Sequence, residues 1–267
     1  MKTGFVVAAL VFAVLGLGGQ ATAPQKSPEQ TGTPQNPSPM VEHTRAHPRL
    51  PAQTTEGRRE KLSLGTLFVP AKLRSKKRAP VLFFFHGQGV VPEVAAALSN
   101  TVVISAVLGA GSRTYEKPFR DPAVFGNFMS TPEYYNQVAN TIMIDGIHTS
   151  YIGGKPGPLE SQIDPAPLQV FIKLARDAIQ GKKRVIITHS EIFPGTFAST
   201  TETADYILNA LGLHPRPVVK WGPMGTQELS EVRANKFLLV GFAGNSAPDH
   251  IDQLQSLPEY LKWLTPK

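Results

Sequence analysis

The chain has 267 residues, 41% hydrophobic and 18% charged: apolar side chains enough for one domain with a sizeable core, and too few charges for general disorder. It contains no cysteine, which excludes disulfides, a cysteine-linked lipid anchor and a thiol nucleophile. The formal net charge is +7, yet much of the excess sits at 72–78 and 182–184, just ahead of apolar runs; that placement fits solvated turns, so no nucleic-acid partner is expected.

In chain order, 1–21 reads as an export signal: Lys2, an apolar run over 5–17, then small residues up to Ala21. The run is short for a membrane span. Cleavage after Ala21 is expected, giving a secreted or periplasmic protein without stable membrane insertion; retention of the segment as an anchor is the alternative. From 22 to 57 Pro, Gln, Thr and Ser dominate without apolar periodicity, the composition of a disordered linker. The folded domain is expected over 58–267.

Residues 62–69 predict an early strand and 80–85 (PVLFFF) a strand buried on both faces, ending in His86-Gly87-Gln88-Gly89. A helix over 92–98 and a buried strand over 101–108 complete a parallel β-α-β unit. Residues 109–164 break the rhythm and carry Tyr115, Phe119, Phe125, Phe128, Tyr134, Tyr135 and Tyr151. They read as a lid-like insertion after the fourth strand, in which Asp145 and His148 are solvated loop residues, with contact to substrate as the alternative. Leu168, Phe171, Ile172, Ala175, Ala178 and Ile179 then mark a helix stopped at Gly181. A strand over 184–188 follows, then a helix over 197–211, a short strand over 218–221, a longer one over 236–242 and a last helix over 251–264. This alternation predicts an α/β fold: a doubly wound, mostly parallel sheet flanked by helices.

Two stretches carry candidate chemistry. In RVIITHSEI (184–192) a buried strand stops at Ser190, which His189 precedes, and in GNSAPDH (244–250) a loop after the last long strand delivers His250 to the closing helix. With the glycine-rich strand end at 86–89, these stretches resemble the α/β-hydrolase superfamily over about 60–265, as an esterase-like member whose nucleophile elbow reads T-H-S-E-I where the pattern has glycines. The resemblance implies an exposed Ser190 as nucleophile, His250 as general base, and backbone amides of Gln88 and Glu191 at the oxyanion. It places the triad acid on the loop after 218–221, where Glu228 comes first and Glu231 is an alternative. Asp249, beside His250, is the other alternative acid or a cap of the final helix. His86 and His189 are scaffolding. Ile192 at a normally glycine position requires the following helix to sit further out or start later. The implied reaction is hydrolysis of a carboxylic ester, small or polymer-linked, through an acyl-enzyme, with no cofactor and no metal. A peptidase, an acyltransferase or a non-catalytic binding protein with a decayed elbow are the alternatives.

Overall fold

The computed structural model describes residues 5–8, 55–63, 65–74, 79–87, 89–108, 132–152, 162–194 and 197–264. Its strands are β1 (Phe5–Ala8), β2 (Gly57–Lys61), β3 (Thr66–Pro70), β4 (Val81–Phe85), β5 (Val102–Ala106), β6 (Val138–Ile144), β7 (Arg184–His189), β8 (Arg216–Trp221), β9 (Gln227–Ala234) and β10 (Phe237–Phe242). Its helices are α1 (Val90–Ser99), α2 (Pro132–Gln137), α3 (Gln169–Ile179), α4 (Thr200–Leu211), α5 (Ala247–Gln255) and α6 (Leu257–Trp263).

The strands form one ten-stranded sheet in the order β2-β3-β5-β4-β1-β6-β7-β10-β9-β8. The centre from β5 to β10 is parallel, whereas β2 and β3 at one edge and β9 and β8 at the other are antiparallel. The α/β class is as expected, while the sheet is mixed: its centre is parallel and its antiparallel edges depart from the doubly wound, mostly parallel expectation. Helices cover both faces. On one, α3 and α4 bury Phe171, Leu174, Ile207 and Leu208 against Val185, Ile187 and Leu239. On the other, α1 and α6 bury Val91, Ala95, Leu257 and Tyr260 against Leu82, Phe84, Ile142, Ile186 and Val240. Alternate residues of β7 thus feed opposite cores, as a strand buried on both faces requires.

Local chemistry sets the helix ends. Ser199 caps α4, its hydroxyl accepting from the Glu202 amide while the Glu202 carboxylate accepts from the Ser199 amide, and Gly212 at φ 66° closes the helix. The helix starts ten residues after Ser190, so the late start required by Ile192 is what the chain does: Ile192 is buried at 8% exposure.

Two further expectations change. The stretch read as an insertion contains α2 and a central strand, β6, which pairs with β7; 109–131 and 153–161 lie outside the described residues. Glu228 and Glu231 stand on β9, paired with β8 and β10, rather than on a loop. Part of the segment read as an export signal, β1, lies between β4 and β6.

Candidate active site

Asp145 and Ser190 directly follow the adjacent parallel strands β6 and β7, and α5 brings His250 to the same place. Asp145 is a non-glycine residue at φ 44°, a conformation that costs energy and persists only when neighbours over-determine it. Its amide donates to the Thr188 carbonyl at 3.1 Å, extending the β6–β7 ladder by one step, while its side chain turns into the site.

The carboxylate is 1% exposed and fully engaged. Oδ1 accepts from the Ser190 amide at 2.8 Å and from the hydroxyl of Thr200, the first residue of α4, at 2.7 Å. Oδ2 accepts from Ser190 Oγ at 2.8 Å and from His250 Nδ1 at 2.8 Å. Burial alone pushes the Asp145 carboxyl up, but the bond and charge of His250, with the Thr200 and Ser190 hydroxyls, outweigh it and hold the group at about 2. A carboxylate can only accept, so His250 carries a proton on Nδ1; with the ring in its neutral form, Nε2 offers its lone pair.

Ser190 is buried at 0% exposure, which corrects the exposed-turn expectation. Its Oγ also lies 3.4 Å from the Ile192 amide, so the hydroxyl is held from both sides. His189 Nδ1 lies 2.9 Å from Thr201 Oγ1, whose own proton goes to the Ser190 carbonyl at 2.7 Å; the hydroxyl therefore accepts from His189, a positioning contact. His148 donates Nδ1 to the Ala198 carbonyl at 3.2 Å and packs edge-on against Phe197 at 4.9 Å. Burial lowers the pKa of both His148 and His189, and Asp145 opposes this in each. Asp145 and His148 thus belong to the site, not to a solvated loop.

The acids expected from the sequence do not meet His250. Glu228 is paired with Lys220 at 2.9 Å. Glu231 is held by Arg216, Lys220 and Arg233. Asp249 Oδ2 accepts from the amides of Asn245 and Ser246 at 3.0 Å each, which fixes the start of α5. The Glu191 amide donates to the Gly244 carbonyl at 2.9 Å, so it is not presented to an oxyanion. Gln88 lies outside the described residues; beside it Gly87 adopts φ 96° against Leu254. Asp145 reads from the sequence as a loop residue and not as the acid, because the strand before it is hidden. The signal that could have found it is the apolar run Ile142-Met143-Ile144 stopping at Asp-Gly, the same strand-end pattern that singled out Ser190.

Among the described residues no group of three or more His, Asp and Glu could hold a metal ion, and no helix is long and apolar enough to cross a membrane. Neither a family model nor a curated protein matches the chain. Among solved structures it is similar to EstE1, a thermophilic and thermostable carboxylesterase cloned from a metagenomic library, at 14% identity over 85% of this chain and 94% of that one, with a TM-score of 0.41.

Proposed function

We propose that the chain is an exported hydrolase of carboxylic esters in which Asp145 and His250 form the general-base pair and Ser190 is the nucleophile. One observation carries the reading: a single oxygen, Asp145 Oδ2, accepts from both Ser190 Oγ and His250 Nδ1, so a serine, a histidine and an ionised carboxylate converge at the carboxyl ends of adjacent parallel strands. The acid is Asp145 in place of Glu228.

In the proposed reaction the Ser190 hydroxyl leaves Asp145 and turns to Nε2 of His250 as substrate enters. Oγ bonds to the ester carbonyl carbon, its proton passes to Nε2, and the carbonyl π electrons move to the oxygen. Collapse of this tetrahedral species breaks the bond to the alkoxide, which takes the proton from His250. Water then repeats the steps on the acyl-enzyme, releasing the acid and restoring Ser190. Asp145 stays ionised throughout, fixing the tautomer and stabilising the imidazolium.

The complete burial of Ser190 and the two contacts on its hydroxyl favour a second reading, in which Ser190 only braces Asp145 and His250 draws the proton from a water that attacks the ester directly. p-Nitrophenyl acetate turnover tests the hydrolase; a fluorophosphonate probe with mapping of the modified peptide tests the nucleophile. Labelled Ser190 supports the first reading. Turnover without label supports the second, and neither turnover nor label rejects both.

Export rests on the composition of 1–21. Cleavage after Ala21 would remove β1 and leave the parallel strands β4 and β6 to pair directly. A chain starting at Thr22 should therefore fold and keep its activity, and its failure to do so would make β1 an integral strand.

A further inference from the structure

On α5, His250, Gln253 and Leu254 share one face by their i, i+3, i+4 spacing. Contacts fix the centre and one flank of that face: His250 bonds Asp145, and Leu254 meets Gly87, where an added Cβ would come within 2.6 Å of it. Gln253, about 60° from His250 on the side away from Leu254, is 1% exposed, and neither its Nε2 nor its Oε1 has a hydrogen-bond partner among the described residues. A buried carboxamide left unpaired is expensive, and a leucine of similar size would fill the place without that penalty. Gln255, also buried with Oε1 unpartnered, projects about 140° away from His250 around the helix and is off this face.

Among the described residues, the amides that follow the β7 strand are already engaged. The amides of Ser190 and Glu191 are given to Asp145 and Gly244, and that of Ile192 points at Ser190 Oγ. We propose that Gln253 is a catalytic residue: its Nε2–H donates to the carbonyl oxygen of the bound ester, most strongly once that oxygen carries the charge of the tetrahedral intermediate. The proposal rests on the hydrolase reading above and holds whether Ser190 or water attacks. It accounts for a polar side chain buried beside the base without a partner of its own: the partner is the substrate.

The test is Gln253→Leu, assayed for p-nitrophenyl acetate hydrolysis beside wild type and Asp145→Asn. The leucine variant should melt at or above the wild-type temperature, because it removes an unpaired polar group. Its kcat should fall about 10²–10³-fold, as for loss of one oxyanion donor, with KM changed only a few-fold. Gln253→Ala, which adds no apolar branches, is read alongside in case the leucine variant does not fold. Wild-type kcat in either folded variant, with Asp145→Asn inactive, overturns the proposal and leaves the hydrolase reading standing; a raised KM at unchanged kcat does the same. A wild-type protein that turns over no ester overturns both.

Discussion

Asp145 and Glu231 are each 1% exposed and each held ionised at about 2, yet their surroundings differ in kind. Burial would raise both. At Glu231 three cations reverse it, from Arg216, Lys220 and Arg233, whose side chains are 68%, 46% and 58% exposed. At Asp145 an amide, two hydroxyls and one histidine do so, with no lysine or arginine in contact. A depressed pKa therefore does not by itself mark a site. Glu231 is neutralised by two guanidinium groups and an ammonium group, which carry no free lone pair with which to take up a proton. Asp145 is hydrogen-bonded to a single titratable side chain, His250, whose other nitrogen is left for chemistry.

The sharpest break between the two regions should be Asp145→Asn against Glu228→Gln. The asparagine can hold its shape but offers His250 an ambiguous partner, so the wrong tautomer is populated and kcat for p-nitrophenyl acetate should fall by about 10³–10⁴. Glu228→Gln should stay within a few-fold of wild type. The reverse ranking would return the acid to β9.

Ser190→Ala comes next, because it touches the site in two ways. Activity and fluorophosphonate labelling should both be lost. Stability should also fall, by about 1–3 kcal/mol, since a fully buried hydroxyl donating to a carboxylate is removed and Oδ2 loses a donor. Urea unfolding measures this. A stability loss with activity intact would make Ser190 a brace and water the nucleophile.

The same contrast explains what was legible in the sequence. Runs such as Val81–Phe85 and Phe237–Phe242 announce strands because both faces are buried and every position is apolar. Residues Val138–Ile144 (VANTIMI) hide one, because Asn140 and Thr141 interrupt the run and the aromatic stretch around it suggests a loop. With β6 hidden, Asp145 reads as a loop residue, and the resemblance points to Glu228 and Glu231 for the acid. That strand, QELSEVRA, reads as a loop because its polar alternation is the pattern of a strand whose buried carboxylates meet cations on the neighbouring edge. Ser190 and His250 were legible from their order and their place at strand ends. The partner that joins them, 45 residues before Ser190 and 105 before His250, is a tertiary fact.

Ile192 tests the packing beneath the site. It is 8% exposed at a place where the hydrolase pattern has glycine. Ile192→Gly should destabilise by about 2–5 kcal/mol through the cavity and the freed backbone, read as a shift of the urea midpoint. A neutral or stabilising result would mean that the turn after Ser190 is crowded rather than filled.

The smallest effect separates the two carboxylates by salt. Both have folded pKa values below their ordinary 3.8 and 4.5, so the folded state binds their protons more weakly than the unfolded chain does. Each therefore adds stability that is fully present above about pH 5 and is lost as pH falls towards 2, by about 2 kcal/mol for Asp145 and about 3 kcal/mol for Glu231 before screening is allowed for. For Glu231 the cations are half-exposed or more, so salt should screen part of that contribution; Asp145, held by buried neutral donors and His250, should be nearly indifferent. Urea unfolding at pH 6, 4 and 2.5, in 0.05 M and 1 M NaCl, should show an acid loss in wild type that is smaller at high salt by under about 1 kcal/mol. Glu231→Gln should remove that salt dependence while keeping the loss due to Asp145. If Asp145→Asn removes it instead, the charge environments of the two regions are the reverse of those described, and the kinship between Asp145 and His250 loses its electrostatic basis.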